Sequence, residues 1–130
     1  MSTNTLCVDY KEVCDKIFHV NKDIRFVGIV DKSGKLACGG MREGLESLDD
    51  EIHLKRWLNQ ISIRREMYEM FDKLYGKTRF AYVEREKLKQ LTFYLPVSTV
   101  LITLQPTVSG SSVINIIESV TQILKSSNKE

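Results

Sequence analysis

The residue types that could do chemistry in this chain are few and scattered. Cys38-Gly39-Gly40 sets a thiol beside two glycines, where backbone N–H groups could face it as they face an acyl-transfer nucleophile. Such a thiol needs a base. The chain offers only His19 and His53, and nothing in the sequence brings either near Cys38. A small buried strand residue ahead of a flexible loop explains the same three letters. The stretch Gly39-Gly40-Met41-Arg42-Glu43-Gly44 could instead hold an anion between backbone N–H groups and a guanidinium, which makes Gly39, Gly40 and Arg42 the candidate ligand loop. It has neither the lysine nor the spacing of a G-x-x-x-x-G-K-[ST] phosphate loop, and a plain loop is the simpler account. Arg64-Arg65 could clamp a phosphate or carboxylate. Arg65 and Glu69, however, stand at i, i+4, the spacing of an ordinary helix-surface ion pair. Asp49-Asp50-Glu51 could attract a cation, but acids in the first turn of a helix also answer the positive end of its dipole.

Metal and redox chemistry find little support. The cysteines are Cys7, Cys14 and Cys38, an odd number with no CxxC pair, so neither a disulfide framework nor a zinc site is indicated. Cys7 and Cys14 are a heptad apart and could share a helix face as buried structural thiols. There is no HExxH, no calcium-loop spacing and no defensible Ser-His-Asp set. No catalytic residue, metal ligand or cofactor is assigned, and the chain reads as a non-enzyme.

Stepping from residues to totals, 130 residues suffice for one domain, 1–130, with a frayed tail at 126–130. Hydrophobic residues at 42% and charged residues at 28% fit an ordinary globular protein. The net charge of +2 comes from basic and acidic residues interleaved, as in Glu84-Arg85-Glu86-Lys87, which suits a solvated surface and argues against nucleic acid. The run Val97–Leu104 is too short and too often interrupted to span a bilayer. Met1–Leu6 has no basic or apolar signal region, and reduced thiols suit a cytoplasmic setting.

The elements that must position these residues follow from periodicity. Tyr10, Val13, Cys14 and Ile17 recur at i, i+3, i+4, i+7 behind a capping-box spacing at Asp9 and Glu12, which predicts a first helix that starts there or earlier, near Thr3, and ends near Asn21. Ile24–Val30 and Leu36–Cys38 read as a hairpin around Asp31-Lys32-Ser33-Gly34-Lys35, with Gly39-Gly40 ending the second strand. Ser47 is the expected N-cap of a long helix, Asp50–Tyr75, stopped by Gly76. Thr78–Glu84, Leu91–Leu95 and Val100–Leu104 alternate as three strands. Val113, Ile116, Ile117, Val120, Ile123 and Leu124 stripe a last helix from about Ser112. The fold class is therefore α+β, order α-β-β-α-β-β-β-α, an antiparallel five-stranded sheet with helices on both faces.

That order, carried by Ile24–Cys38, Asp50–Tyr75, Thr78–Leu104 and the last helix, resembles the roadblock/LC7 domain of the profilin-like superfold over nearly the whole chain. The wording IRFVGIVDKSGKLACGG and LYGKTRFAYVEREKLKQLTFYLP is also similar to small proteins of ammonia-oxidising archaea, a likeness that brings a source and a fold but no activity. The roadblock resemblance implies dimerisation through the central helix and adjoining strand, and a role as a scaffold or as a platform for small GTPases.

The long helix points to a partner independently. At about 100° per residue, Leu54, Trp57, Leu58, Ile61, Tyr68 and Tyr75 form one apolar stripe, while Ile52, Ile63, Met67, Met70 and Leu74 form a second on the opposite side. Phe71 lies between them. One sheet covers one stripe. The other needs loops, the first helix, a shorter or bent helix, or a second copy packed about a two-fold axis. Trp57, Arg64 and Tyr68 are residue types enriched at interface hot spots. With Ile61, Phe71 and Tyr75 they make the candidate interface. The reading is a homodimeric protein-interaction module, with a small GTPase or another protein as further partner. The alternative is a small-molecule sensor of profilin- or PAS-like architecture, its sheet lined by Phe26, Tyr82 and Tyr94.

Overall fold

β-branched and aromatic residues build the sheet where their alternation predicts it. The structure, a computed structural model, describes residues 3–127, with side chains from Tyr10 onward. β1 (Ile24–Val30) and β2 (Leu36–Met41) form a hairpin, and β3 (Phe80–Glu84), β4 (Lys89–Tyr94) and β5 (Thr99–Leu104) form a meander. The two units join where β1 pairs with β5, giving the order β2-β1-β5-β4-β3 with each pairing antiparallel. β5, the central strand, is buried along its whole length.

Each face of the sheet has its own helix layer. α1 (Thr3–Phe18) and α4 (Gly110–Ser127) lie on one face. There Cys14, Ile17, Val113, Ile116, Val120 and Leu124 pack on Leu91, Phe93, Val100, Ile102 and Leu104, the in-pointing halves of β4 and β5. The opposite face carries α2 (Glu51–Glu69), followed by the single turn α3 (Asp72–Tyr75). Its core is smaller: Ile61 sits on Phe26, Val30 and Leu101, with Trp57, Leu58, Leu36 and Met41 around it. Removing a side chain such as Ile102, with no exposure at all, costs about 2–5 kcal/mol on truncation to alanine.

Several boundaries differ from the sequence reading. α1 runs from Thr3, the earlier of the two expected starts, so Asp9 lies inside it, and the side chain of Cys7 lies outside the described residues. Ser126 and Ser127 still belong to α4, while residues 128–130 lie outside the described residues. Asp50, not Ser47, caps α2. Its carboxylate accepts the His53 N–H at 2.7 Å, and the Ser47 hydroxyl accepts the Asp49 N–H instead. The long helix does not run unbroken to Tyr75. After Glu69 the backbone tightens, the Phe71 N–H donates to the Tyr68 carbonyl at 3.0 Å, and the single turn of α3 follows from Asp72. Gly76, at φ 82°, follows it as expected.

β2 does not end at Cys38 but continues through both glycines to Met41. Gly39 is what permits this. Its φ is 120°, and a Cβ there would fall 2.2 Å from the Val27 carbonyl oxygen on β1. Only glycine lets the two backbones approach so closely.

Candidate functional site

The residues singled out for chemistry are mostly structural. Arg42 does not wait at the end of a loop for an anion. Its Nε donates to the Ile24 carbonyl at 2.7 Å, and its Nη2 donates to those of Phe18 at 2.7 Å and Asn21 at 2.8 Å. The guanidinium also lies over the Phe18 ring, 5.0 Å from its centre. It thus closes the end of α1 onto the start of β1, meeting the carbonyls that a helix C-terminus leaves without partners. Gly39 and Gly40 are strand residues, paired with Gly28 and Val27. The candidate ligand loop is therefore part of the sheet and a helix clamp.

The histidines and acids are likewise engaged locally. His53 Nδ1 lies 2.8 Å from the Asp50 carboxylate, and His19 Nδ1 lies 2.7 Å from the Asp15 carbonyl one turn earlier. The His53 backbone N–H, with help from its ring, holds the Asp50 carboxyl below its ordinary range, as a helix cap does. Among the described residues no group of three or more His, Cys, Asp and Glu is placed to hold a metal ion. No described helix is long and apolar enough to cross a membrane.

The two neighbouring arginines have separate fates. Arg65 points down between α2 and the β4–β5 turn. Its Nη1 donates to the Ser98 carbonyl at 2.9 Å and the Thr99 hydroxyl at 2.8 Å, and its Nη2 donates to the carbonyls of Leu95 and Pro96. Its Nε reaches Glu69 at 3.3 Å. All of its N–H groups are used, so it does not clamp an external anion. Arg64 turns outward instead, to the side of α2 that overlooks β3 and β4.

The candidate interface splits the same way. Ile61 is only 5% exposed and belongs to the chain's own core, and Trp57 is half-buried against Phe26 with ring centres 6.0 Å apart. Neither forms an outward contact of its own. Tyr68 meets Tyr94 edge-on at 5.6 Å. Phe71 and Tyr75 stack on each other, 5.7 Å apart and 9° from parallel, and both stay exposed because the helix breaks before it can carry Tyr75 onto the sheet. The second stripe is bare: Ile52, Ile63, Met67, Met70 and Leu74 are all exposed, Met70 to 77%. Phe26, Tyr82 and Tyr94, expected to line one concavity, do not. Phe26 and Tyr94 face α2, whereas Tyr82, paired with Leu91, faces the α4 layer.

Two hollows remain. On the α4 side an open cleft of about 1190 Å³ runs between α4 and β3, over Phe80, Phe93 and Ile117. On the α2 side a groove of about 350 Å³ separates α2 from β3 and β4. α2 leans over β1 and β5 and leaves this half of the sheet uncovered. The groove's floor is Gln90, Thr92 and Thr103 with Ala81 and Val83 beside them, and its walls bear Arg56, Arg64 and Arg85 along with Trp57 and Leu88. Beside it burial pushes the Tyr94 phenol up to about 12, reinforced by Tyr68 and opposed by the positive charge of Arg64 and Arg65. The sequence reading missed Arg56 and Arg85. The helical wheel could have found the first, since Arg56 interrupts the second stripe at the edge nearest the flank of His53, Gln60 and Arg64. The second arrives only through the β3–β4 hairpin.

No family model matches the chain, and no curated protein sequence does either. Solved structures do. The gliding protein MglB of Thermus thermophilus superposes with a TM-score of 0.73 at 10% identity, covering 95% of this chain and 90% of that one. An MglB described as having a tetrameric arrangement gives 0.68 at 10% identity, covering 93% and 91%. A roadblock/LC7 domain from Streptomyces avermitilis gives 0.59 at 8% identity, covering 88% and 94%. At such identities the likeness is one of fold, and the fold of this chain is that of the roadblock/LC7 domain.

Proposed function

We propose that the chain is a non-enzymatic protein-interaction module that works as a homodimer, joined along the outer face of α2 and α3 and the adjoining edge strand β3. The observation that carries this reading is the bare stripe of Ile52, Ile63, Met67, Met70 and Leu74, continued by the exposed Phe71–Tyr75 stack. Scattered apolar side chains such as Ile52 are normal on a surface, but Ile63, Met67, Met70, Phe71, Leu74 and Tyr75, exposed together at the end of α2 and through α3, mark an interaction site. A second copy is the simplest occupant, because a helix face can meet itself about a two-fold axis. The name of the tetrameric MglB supports self-association for this fold. The roadblock likeness supports a small GTPase or scaffold component as further partner, and the net charge of +2, interleaved with acids, supports no nucleic-acid role.

Light scattering across a hundredfold concentration range tests the reading. A mass near twice 15.0 kDa throughout is the expected result, and a steady 15.0 kDa overturns it. One observation favours a second reading, a small-molecule binding domain: the chain keeps both a cleft and an arginine-rimmed groove open in a single copy. A ligand retained through purification in native mass spectrometry would move weight to that reading.

A further inference from the structure

The groove between α2 and the β3–β4 hairpin has a chemistry of its own. Arg56 and Arg64 reach it from α2, and Arg85 reaches it from the end of β3. Among the described residues the ion pairs are His53 with Asp50, Arg65 with Glu69 and Lys89 with Glu84, so none of the three groove arginines has a carboxylate partner. They also make no side-chain hydrogen bond there, in contrast to Arg65 and Arg42. One carboxylate, Asp49, lines the groove with them. Three unpaired guanidinium groups around one concavity repel one another unless an anion enters.

The floor says what kind of anion. Gln90 and Thr92 on β4 bring an amide and a hydroxyl to the sheet surface, and Thr92 is 6% exposed. Trp57, Ile61, Ala81, Val83 and Leu88 also line the groove and offer apolar contact, but the three guanidinium groups select the occupant. A ligand carrying several oxygen acceptors suits them, since a guanidinium offers paired donors to phosphate or carboxylate and the floor offers single donors. A volume of about 350 Å³ lies in the range of small-ligand sites. Along the chain the basic residues are interleaved with acids, which does not make the basic stripe that a nucleic-acid surface requires.

We infer that this groove is a binding site for a small, multiply charged oxyanion, a di- or polyphosphate or a polycarboxylate, held by Arg56, Arg64 and Arg85 over Gln90 and Thr92. The site is complete in one copy and does not rest on the dimer reading.

Trp57, the one tryptophan of the chain, lines the groove and reports on it. The full-length protein is titrated with pyrophosphate and, separately, with citrate, each at ionic strength held constant with sodium chloride, while Trp57 emission and heat are followed. Light scattering on the same samples gives the mass, so loss of the dimer and loss of the site are read separately. The expected result is saturable binding of at least one anion with a dissociation constant below about 1 mM. The tighter of the two identifies the ligand's acid group. Arg64→Gln and Arg85→Gln each weaken binding at least about fivefold. These side chains are exposed and unpaired, so the variants fold, as circular dichroism checks. Arg79→Gln, on the opposite side of β3 in the α4 cleft, leaves binding unchanged. The inference is overturned if neither anion saturates, or if Arg79→Gln weakens binding as much as Arg64→Gln does.

Discussion

The guanidinium of Arg65 on α2 lies 2.8 Å from the hydroxyl of Thr99 on β5, and this contact belongs to a set that fastens the helix to the β4–β5 turn. The same group also takes the carbonyls of Leu95 and Ser98. Ser98 and Thr99 are buried, so without Arg65 their acceptors lose partners that water does not readily replace. Arg65→Ala is expected to cost about 2–4 kcal/mol in urea unfolding. Arg65→Lys should recover less than half of that, because one ammonium cannot span carbonyls on both sides of the turn. Arg64→Ala, one residue away and outward, should change stability by no more than about 0.5 kcal/mol. Equal effects at the two positions would contradict this division of roles.

Gly39 and Gly40 are adjacent, yet a methyl group should be felt at only one of them. At Gly39 an added Cβ meets the Val27 carbonyl and a φ of 120°, so Gly39→Ala is expected to cost about 3 kcal/mol or more. At Gly40 nothing lies within 4 Å, and Gly40→Ala should be neutral to within about 1 kcal/mol. Thermal melts of the two variants side by side check this. A tolerated Gly39→Ala would mean that β2 does not run past Cys38 alongside β1.

What could be read from the sequence was whatever leaves a periodic trace. Leu91, Phe93, Val100, Ile102 and Leu104 alternate because one side of each strand meets α1 and α4, and the stripe of α4 repeats for the same reason. Arg42 and Arg65 leave no such trace. Their partners are carbonyls at Phe18, Asn21 and Ile24, or at Leu95 and Ser98, which arrive only when the chain has folded. A shorter or bent helix is one account of the second stripe, but nothing local places the break after Glu69. Neither glycine nor proline marks it, and the apolar spacing runs on through Met70 and Leu74 as if the helix continued. Tyr75, which the wheel sets on one stripe with the core residue Ile61, is exposed. Trp57 shows a further limit, since the residue type that suits an interface also suits a core, and only the Phe26 ring beneath it decides.

Tyr94 ties stability to alkaline pH. Burial raises its phenol from 10.0 to about 12, which means that the folded chain holds the proton more tightly than the unfolded chain does. The contribution is therefore complete below pH 10 and is lost as pH rises from there towards about 12. Ultraviolet absorbance of ionised phenol should show a tyrosine titrating last, and Tyr94→Phe should remove that step. The same substitution should flatten the fall of stability in that window. A phenol titration in which Tyr94→Phe removes a step near 10 would refute the assignment.

The last prediction separates interface from fold on α2 and α3. Met70 and Leu74 are 77% and 75% exposed, and neither takes part in the core under α2. Met70→Glu and Leu74→Glu should therefore leave the monomer's unfolding free energy within about 0.5 kcal/mol of its original value. In a helix-to-helix dimer they act differently, because each copy presents its new carboxylate to the other and both must lose water in the seam. The double variant should run as a 15.0 kDa monomer at concentrations where the unaltered chain runs at twice that mass. Ile61→Ala is the contrasting change. It removes a core side chain and should lower stability by about 2–5 kcal/mol, with any loss of dimer following unfolding and not preceding it. If Met70→Glu with Leu74→Glu leaves the mass at the dimer value, the seam lies elsewhere, and the β3 edge is the surface to alter next.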